Sequence, residues 1–317
     1  AKTENEIAHA LKSGIFSLNL ESPAELKRIH AVAKELDVPA PVSVRVNPDV
    51  DAKTHPHIST GLREAKFGVP FEVALELYRF ASQQRHLAVK GIAVHIGSQM
   101  TSLDPIISAL SQVIDFVKQL NRDGINIQHL DVGGGLGVRY KDENPPTIRE
   151  YCRSILDLLE KRGCNLSISI EPGRAISAHS GVLISRVEYL KATEAKRFAV
   201  VDAAMNDLLR PVLFDAWMEI VPVKQKATIE EMLSDVVGPI CETGDFLGKD
   251  RLLAVESGDL IAVLGAGAYG AVMSSNYNTR PKPAEVLVDS NHFDAIRTRE
   301  TFDQMVNLEV IPEQIRI

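Results

Sequence analysis

Asp131-Val132-Gly133-Gly134-Gly135-Leu136-Gly137 decides how this chain is read. An apolar run at residues 127–132 ends there in consecutive glycines, as where a parallel strand hands over to a loop. Glycine lets backbone approach a phosphate closely, and successive amides at a strand-to-helix turn form an anion nest. A tight turn needing positive φ explains the same run, and the glycines alone do not choose. No Gly-Lys-Ser/Thr follows, so it is not a Walker A loop, and the spacing fails the dinucleotide fingerprint. Farther on, Glu171-Pro172-Gly173-Arg174 closes a second apolar run at residues 166–170. A carboxylate there can keep a heterocyclic nitrogen protonated, and an arginine can grip a phosphate or carboxylate through two bonds. A local ion pair is the competing reading. Taken together, the two motifs point to a phosphorylated, nitrogen-containing cofactor.

Apolar, β-rich runs recur at residues 15–20, 42–46, 91–96, 127–132 and 166–170, separated by amphipathic helical patterns at 23–36, 72–84, 105–121 and 147–162. Strand alternating with helix implies a parallel sheet. Asn47, His95, Asp131 and Glu171 all fall at the C-terminal ends of successive strands. A barrel gathers such ends around one mouth, whereas a doubly wound sheet keeps its ligands at a switch point. The expected fold is therefore α/β, a (β/α)8 TIM-type barrel over residues 1–178 of which the last five strands are visible. Past residue 180, strand patterns at 182–189, 197–201, 218–223, 260–264, 284–288 and 293–297 lack regular helices between them. They predict a mostly antiparallel β domain over 179–317.

At 317 residues and 45% hydrophobic, the chain can bury a core in each of two domains. A net charge of −7 with mixed signs gives no reason to expect nucleic-acid binding. No apolar run reaches the ~20 residues of a membrane span, and no signal-peptide pattern opens the chain. Cys152, Cys164 and Cys241 lack disulfide-framework or metal-ligand spacing, so a cytoplasmic protein without a metal is expected.

Other clusters carry possible chemistry. In His95-Ile96-Gly97-Ser98-Gln99, the imidazole can stack on a planar cofactor and Ser98 can donate to a phosphate; a satisfied core histidine is the plainer reading. Cys241-Glu242-Thr243-Gly244-Asp245 places a thiol on an exposed turn, where it can transfer protons. Ala266-Gly267-Ala268-Tyr269-Gly270 sets Tyr269 among small residues, as if a ligand approached closely. Asn206-Asp207-Leu208-Leu209-Arg210-Pro211 offers Arg210 as a carboxylate anchor.

HIGSQ, DVGGGLG, EPGR, MNDLLRP, CETGD, GAYG and SSNYNTRP stand in the order and approximate spacing of the diaminopimelate decarboxylases. The chain resembles that family, part of the alanine-racemase-like, barrel-type pyridoxal-phosphate enzymes, along essentially its whole length. The resemblance implies removal of CO2 from meso-diaminopimelate to give L-lysine. It implies that His95 stacks on the pyridine ring, that Ser98 and the amides of Gly133, Gly134 and Gly135 hold the phosphate, and that Glu171 meets the ring nitrogen, flanked by Pro172 and Gly173. Arg174 and Arg210 would receive carboxylates and Glu242 the distal ammonium, with Tyr269 bordering cofactor and substrate. Cys241 would be the proton donor, reaching across a homodimer with shared active sites.

Two departures stand out. Phe214 occupies a position where the family often has Tyr, which removes a hydroxyl contact with the substrate. The family's Schiff-base lysine lies at the end of the first barrel strand, and neither Lys53, Lys66 nor Lys90 has an equivalent context. The visible strands match the family's fourth to eighth, so the chain is expected to lack an N-terminal segment and to be inactive without it. The alternatives are another barrel-type decarboxylase acting on ornithine or arginine, or a non-catalytic regulatory relative.

Overall fold

The computed structural model describes residues 1–51 and 66–315; Lys53 lies outside the described residues. The chain divides into two compact units, Ala1–Ile176 and Ser177–Ile317.

In the first unit, β1 (Leu18–Leu20), β2 (Ala40–Val46), β3 (Leu87–Val94), β4 (His129–Asp131) and β5 (Ser167–Ser169) form a parallel sheet in sequence order. Around it run α1 (Glu4–Lys12), α2 (Pro23–Glu35), α3 (Phe71–Ser82), α4 (Asp104–Arg122) and α5 (Ile148–Lys161). All five strand patterns and the intervening helices in the sequence are thus realised, and the fold is α/β of the barrel type.

Each helix starts for a local reason. Ser22 caps α2 by accepting from Glu25 N, with Pro23 pre-set at the first helical position. Reciprocal capping boxes start α1 (Thr3 with Glu6) and α5 (Thr147 with Glu150). The longest, α4, then buries a continuous stripe of Ile106, Leu110, Val113, Ile114, Val117 and Leu120. Each such side chain contributes roughly 1.5–3 kcal/mol by leaving water.

One buried polar residue tunes the sheet. The register between β2 and β3 shifts at Val42/Ser43. Tyr78 of α3 fills the irregularity, accepting from Val44 N at 3.3 Å and donating to Gly91 O at 2.7 Å. Gly91 has no room for a Cβ, which would meet His129 O at 2.5 Å.

In the second unit, β6 (Leu183–Ala192), β7 (Arg197–Val201), β8 (Ile220–Pro222), β9 (Met232–Val237), β10 (Phe246–Leu253) and β11 (Leu260–Val263) form one sheet in the order β10-β9-β7-β6-β11-β8. All its pairings are antiparallel except β7 with β9. A hairpin of β12 (Glu285–Asp289) and β13 (His292–Arg297) follows. Sequence patterning missed β9 and β10. Buried Asp235, paired with Lys196 at 2.7 Å, interrupts the apolar pattern of β9. Bulges disturb the register of β10 around the polar stretch Gly248-Lys249-Asp250-Arg251.

Candidate active site

The exits of β3, β4 and β5 are laced together. After β4, Gly133 (φ 73°) and Gly135 (φ 104°) adopt conformations that favour glycine. A Cβ on Gly133 would meet Val94 O at 2.4 Å, one on Gly134 would meet Glu171 O at 2.1 Å, and one on Gly135 would meet Gly97 O at 2.2 Å. The glycines are therefore demanded by the close approach of three strand exits. Two of their amides are engaged within the protein: Gly133 N donates to Asp131 Oδ1 and Gly134 N to His95 Nδ1, both at 3.0 Å. Those two amides organise the neighbouring side chains.

Through that bond His95 is held with Nδ1 as acceptor. Burial, and next the Arg45 guanidinium, lower its pKa to about 4 against the opposing pull of Asp131. The imidazole is accordingly uncharged at neutral pH. Arg45, anchored by Glu21 at 2.6 Å, also reaches the His95 carbonyl.

Arg174 lies in the short helix α6 (Gly173–Ser177), just after Glu171-Pro172, where Gly173 N donates to Glu171 O at 2.9 Å. Its side chain is only 6% exposed. It donates to Ser98 Oγ at 3.0 Å and to Tyr140 Oη at 2.9 Å. Ser98 and Arg174, far apart in sequence, form one donor cluster. Glu171 lies exposed at the β5 exit, where its backbone N donates to Gly133 O at 2.8 Å. Partial burial and the neighbouring Asp131 carboxylate raise its pKa above the ordinary range, against a weaker effect of Arg45.

The second unit carries the remaining candidates. Arg210 opens α7 (Arg210–Phe214), is 5% exposed, and donates to Met218 Sδ at 3.0 Å; Phe214, half-buried, ends the same helix. Cys241 and Glu242 are exposed on the turn between β9 and β10. Tyr277 Oη donates to Glu242 Oε2 at 2.6 Å. Asp245 fastens this turn by accepting from Met205 N and Ile240 N, each at 2.7 Å. Tyr269 is half-buried, but the small residues before it have another cause than a ligand. A Cβ on Gly267 would meet Ser177 O at 1.9 Å. Ala266 N also bonds to Gly181 O at 2.9 Å.

Residues 1–178 match the family model "pyridoxal-dependent decarboxylase, pyridoxal binding domain". The diaminopimelate decarboxylase of Vibrio cholerae is 53% identical over 98% of this chain and 75% of its own length. That of Pseudomonas aeruginosa is 54% identical over 96% and 72%. The crystal structure of the Helicobacter pylori enzyme complexed with L-lysine superposes with a TM-score of 0.93 at 44% identity, covering 98% of this chain and 77% of that one. The chain belongs to the diaminopimelate decarboxylase family. Its cofactor is pyridoxal 5'-phosphate.

The donors at the β3–β5 exits fit that cofactor. An uncharged imidazole offers a flat face, Ser98 and Arg174 offer charge-assisted donors to a phosphate, and Glu171 offers a carboxyl to a ring nitrogen. Sequence reasoning missed three residues beside these strand exits, Tyr140, Arg45 and Asn19. Tyr140 was not singled out, although its position just after the glycine run was a signal. Arg45 and Asn19 face inward on strands whose alternate residues are core, which was legible only as alternation. Asp131 was noted as a strand-end group without a partner. Among the described residues, no helix is long and apolar enough to cross a membrane.

Proposed function

We propose that His95, Ser98, Gly135, Glu171 and Arg174 hold pyridoxal phosphate at the strand exits, and that the protein removes CO2 from meso-diaminopimelate to leave L-lysine. The observation that carries this reading is the single cluster of uncharged His95, the Ser98–Arg174 donor pair and Glu171 at adjacent exits of one parallel sheet. Bound there, the cofactor supplies an electron sink for the pair left behind when CO2 departs. Ser98 and Arg174 fix one end of that group, and Glu171 keeps a proton at its ring nitrogen. Arg210 receives a substrate carboxylate, and Glu242, oriented by Tyr277, receives the distal ammonium. Phe214 and Tyr269 border the substrate. Cys241 delivers the proton that replaces CO2.

Cys241 is read as acting in the partner's site of a cytoplasmic homodimer. Its exposure on a turn fastened by Asp245 supports that assignment. Mixing a C241A protomer with one disabled at Glu171 restores part of the activity if the sites are shared, and none if they are not.

Relatives align over 96–98% of the chain for the first three compared and give no support to an inactive chain. We assign no lysine of this span to covalent attachment of the cofactor; borohydride reduction followed by peptide mapping shows whether any becomes linked to it. Lysine production from meso-diaminopimelate, measured against ornithine and arginine, tests the function. Loss of CO2 from the latter two alone overturns it.

A further inference from the structure

We infer that Gln99 and Tyr140 are positioning residues for the cofactor's phosphate. Gln99 stitches the loop after β3 to the loop after β4, and Tyr140, carried on the second loop, holds the Arg174 guanidinium against Ser98. This rests on the reading of Ser98 and Arg174 given above.

Beyond the sheet, the two loops continue the parallel pairing of their strands. Met100 N donates to Gly135 O at 2.8 Å and Gly137 N to Met100 O at 2.9 Å, with Leu136 opposite Met100. Glycine at 137 permits the approach, since a Cβ there would meet Met100 O at 2.6 Å. Gln99 has φ 62°, a left-handed conformation that its Cβ disfavours, and its side chain extends the pairing. Nε2 donates to Val138 O at 2.6 Å, and Oε1 accepts from Val138 N at 3.1 Å. Val138 is buried, so its backbone groups have little water to turn to, and the one amide satisfies both. Ser98 sits directly before this turn. The bonds to Val138 therefore fix where its hydroxyl stands relative to the second loop.

Two residues past Val138, Tyr140 meets Arg174. Its backbone is held by Glu143 Oε2, which accepts from Tyr140 N at 3.0 Å and from Lys141 N at 2.7 Å. Tyr140 Oη accepts from Arg174 Nη1 at 2.9 Å, and the ring centre lies 5.8 Å from the guanidinium carbon, within cation–π range. Arg174 Nη2 and Nε reach Ser98 Oγ at 3.0 and 3.4 Å. The planar fork is thus gripped from both loops, so a long side chain with many rotamers is set before an anion arrives. Two neutral hydroxyls orient the guanidinium without cancelling its charge, which suits a phosphate ligand. Loss of either support costs preorganisation that a ligand feels only through its phosphate.

The test is the ratio of two dissociation constants, for pyridoxal phosphate and for pyridoxal, measured by fluorescence titration of the purified protein. Tyr140→Phe keeps the ring and removes the acceptor. Gln99→Met keeps the length of the side chain and removes both bonds to Val138. In each variant pyridoxal phosphate binds about tenfold more weakly, while pyridoxal changes by less than about twofold. A merely structural role would weaken both ligands alike. Equal losses, or an unchanged ratio in either variant, overturn the inference for that residue. Ser98→Ala separates the underlying reading. If S98A leaves the ratio unchanged, Ser98 and Arg174 do not form the phosphate site. If S98A shifts the ratio and neither Y140F nor Q99M does, only the positioning role fails.

Discussion

The guanidinium of Arg174 stands 3.0 Å from the hydroxyl of Ser98, although 76 residues separate them in the chain. The contact joins the loop after β3 to the helix after β5, and it gives Arg174 a role the sequence had divided between cofactor and substrate. Arg174→Lys keeps the charge but loses the planar fork. Losing charge-assisted bonds of roughly 1.5–3 kcal/mol corresponds to about 10- to 100-fold weaker binding of pyridoxal phosphate. Fluorescence titration with the cofactor measures it, and Ser98→Ala moves in the same direction. A change confined to the KM for diaminopimelate would assign Arg174 to the substrate alone.

Acid should weaken the fold through His95. Its folded pKa of about 4 lies below the ordinary histidine value, so the unfolded chain binds more protons between the two. The contribution is fully present above pH ~6.5 and is lost as pH falls from ~6.5 toward ~4, by an amount on the order of 3 kcal/mol. Raised carboxyls such as Glu171 act in the opposite sense, so the comparison must be a difference. Urea unfolding of parent and His95→Gln across that window isolates the slope. Parallel pH profiles would show that His95 is not held uncharged.

Tyr78→Phe tests the irregularity between β2 and β3. The hydroxyl serves two buried backbone groups at once, and its loss leaves both without that partner. The expected cost is about 1–3 kcal/mol, read as a lower urea midpoint with the slope unchanged.

Much of this architecture was legible because its signals are local. Strand runs alternate with apolar stripes at helical spacing, and Thr147 with Glu150 or Ser22 with Pro23 mark where helices begin. The glycine run was legible as a loop, but its purpose was not. What fills the space beside Gly134 is a carbonyl from Glu171, a neighbour only after β4 and β5 pair. Asn19 and Asp131 are 112 residues apart, and no spacing rule links a side chain on the first strand to one on the fourth. Strand β9 escaped for a related reason. Its buried Asp235 looks like a surface residue until Lys196 and the amide of Asp250 are brought to it.

Asp245 provides the test of how the Cys241 turn is mounted. Its two carboxylate oxygens accept from Met205 N and Ile240 N, and the side chain is 3% exposed. Gly238 has no room for a Cβ, which would meet Asp245 Oδ2 at 2.3 Å. In Asp245→Asn the amide nitrogen must confront one of those N–H groups, at a cost of about 1–3 kcal/mol. The strands on either side keep their pairing, so the loss should fall mainly on the turn. The expected result is a drop in kcat well beyond the drop in thermal stability, with faster reaction of Cys241 toward a thiol reagent. Equal losses of kcat and folded fraction, with unaltered thiol reactivity, would mean that Asp245 supports the second unit without positioning Cys241.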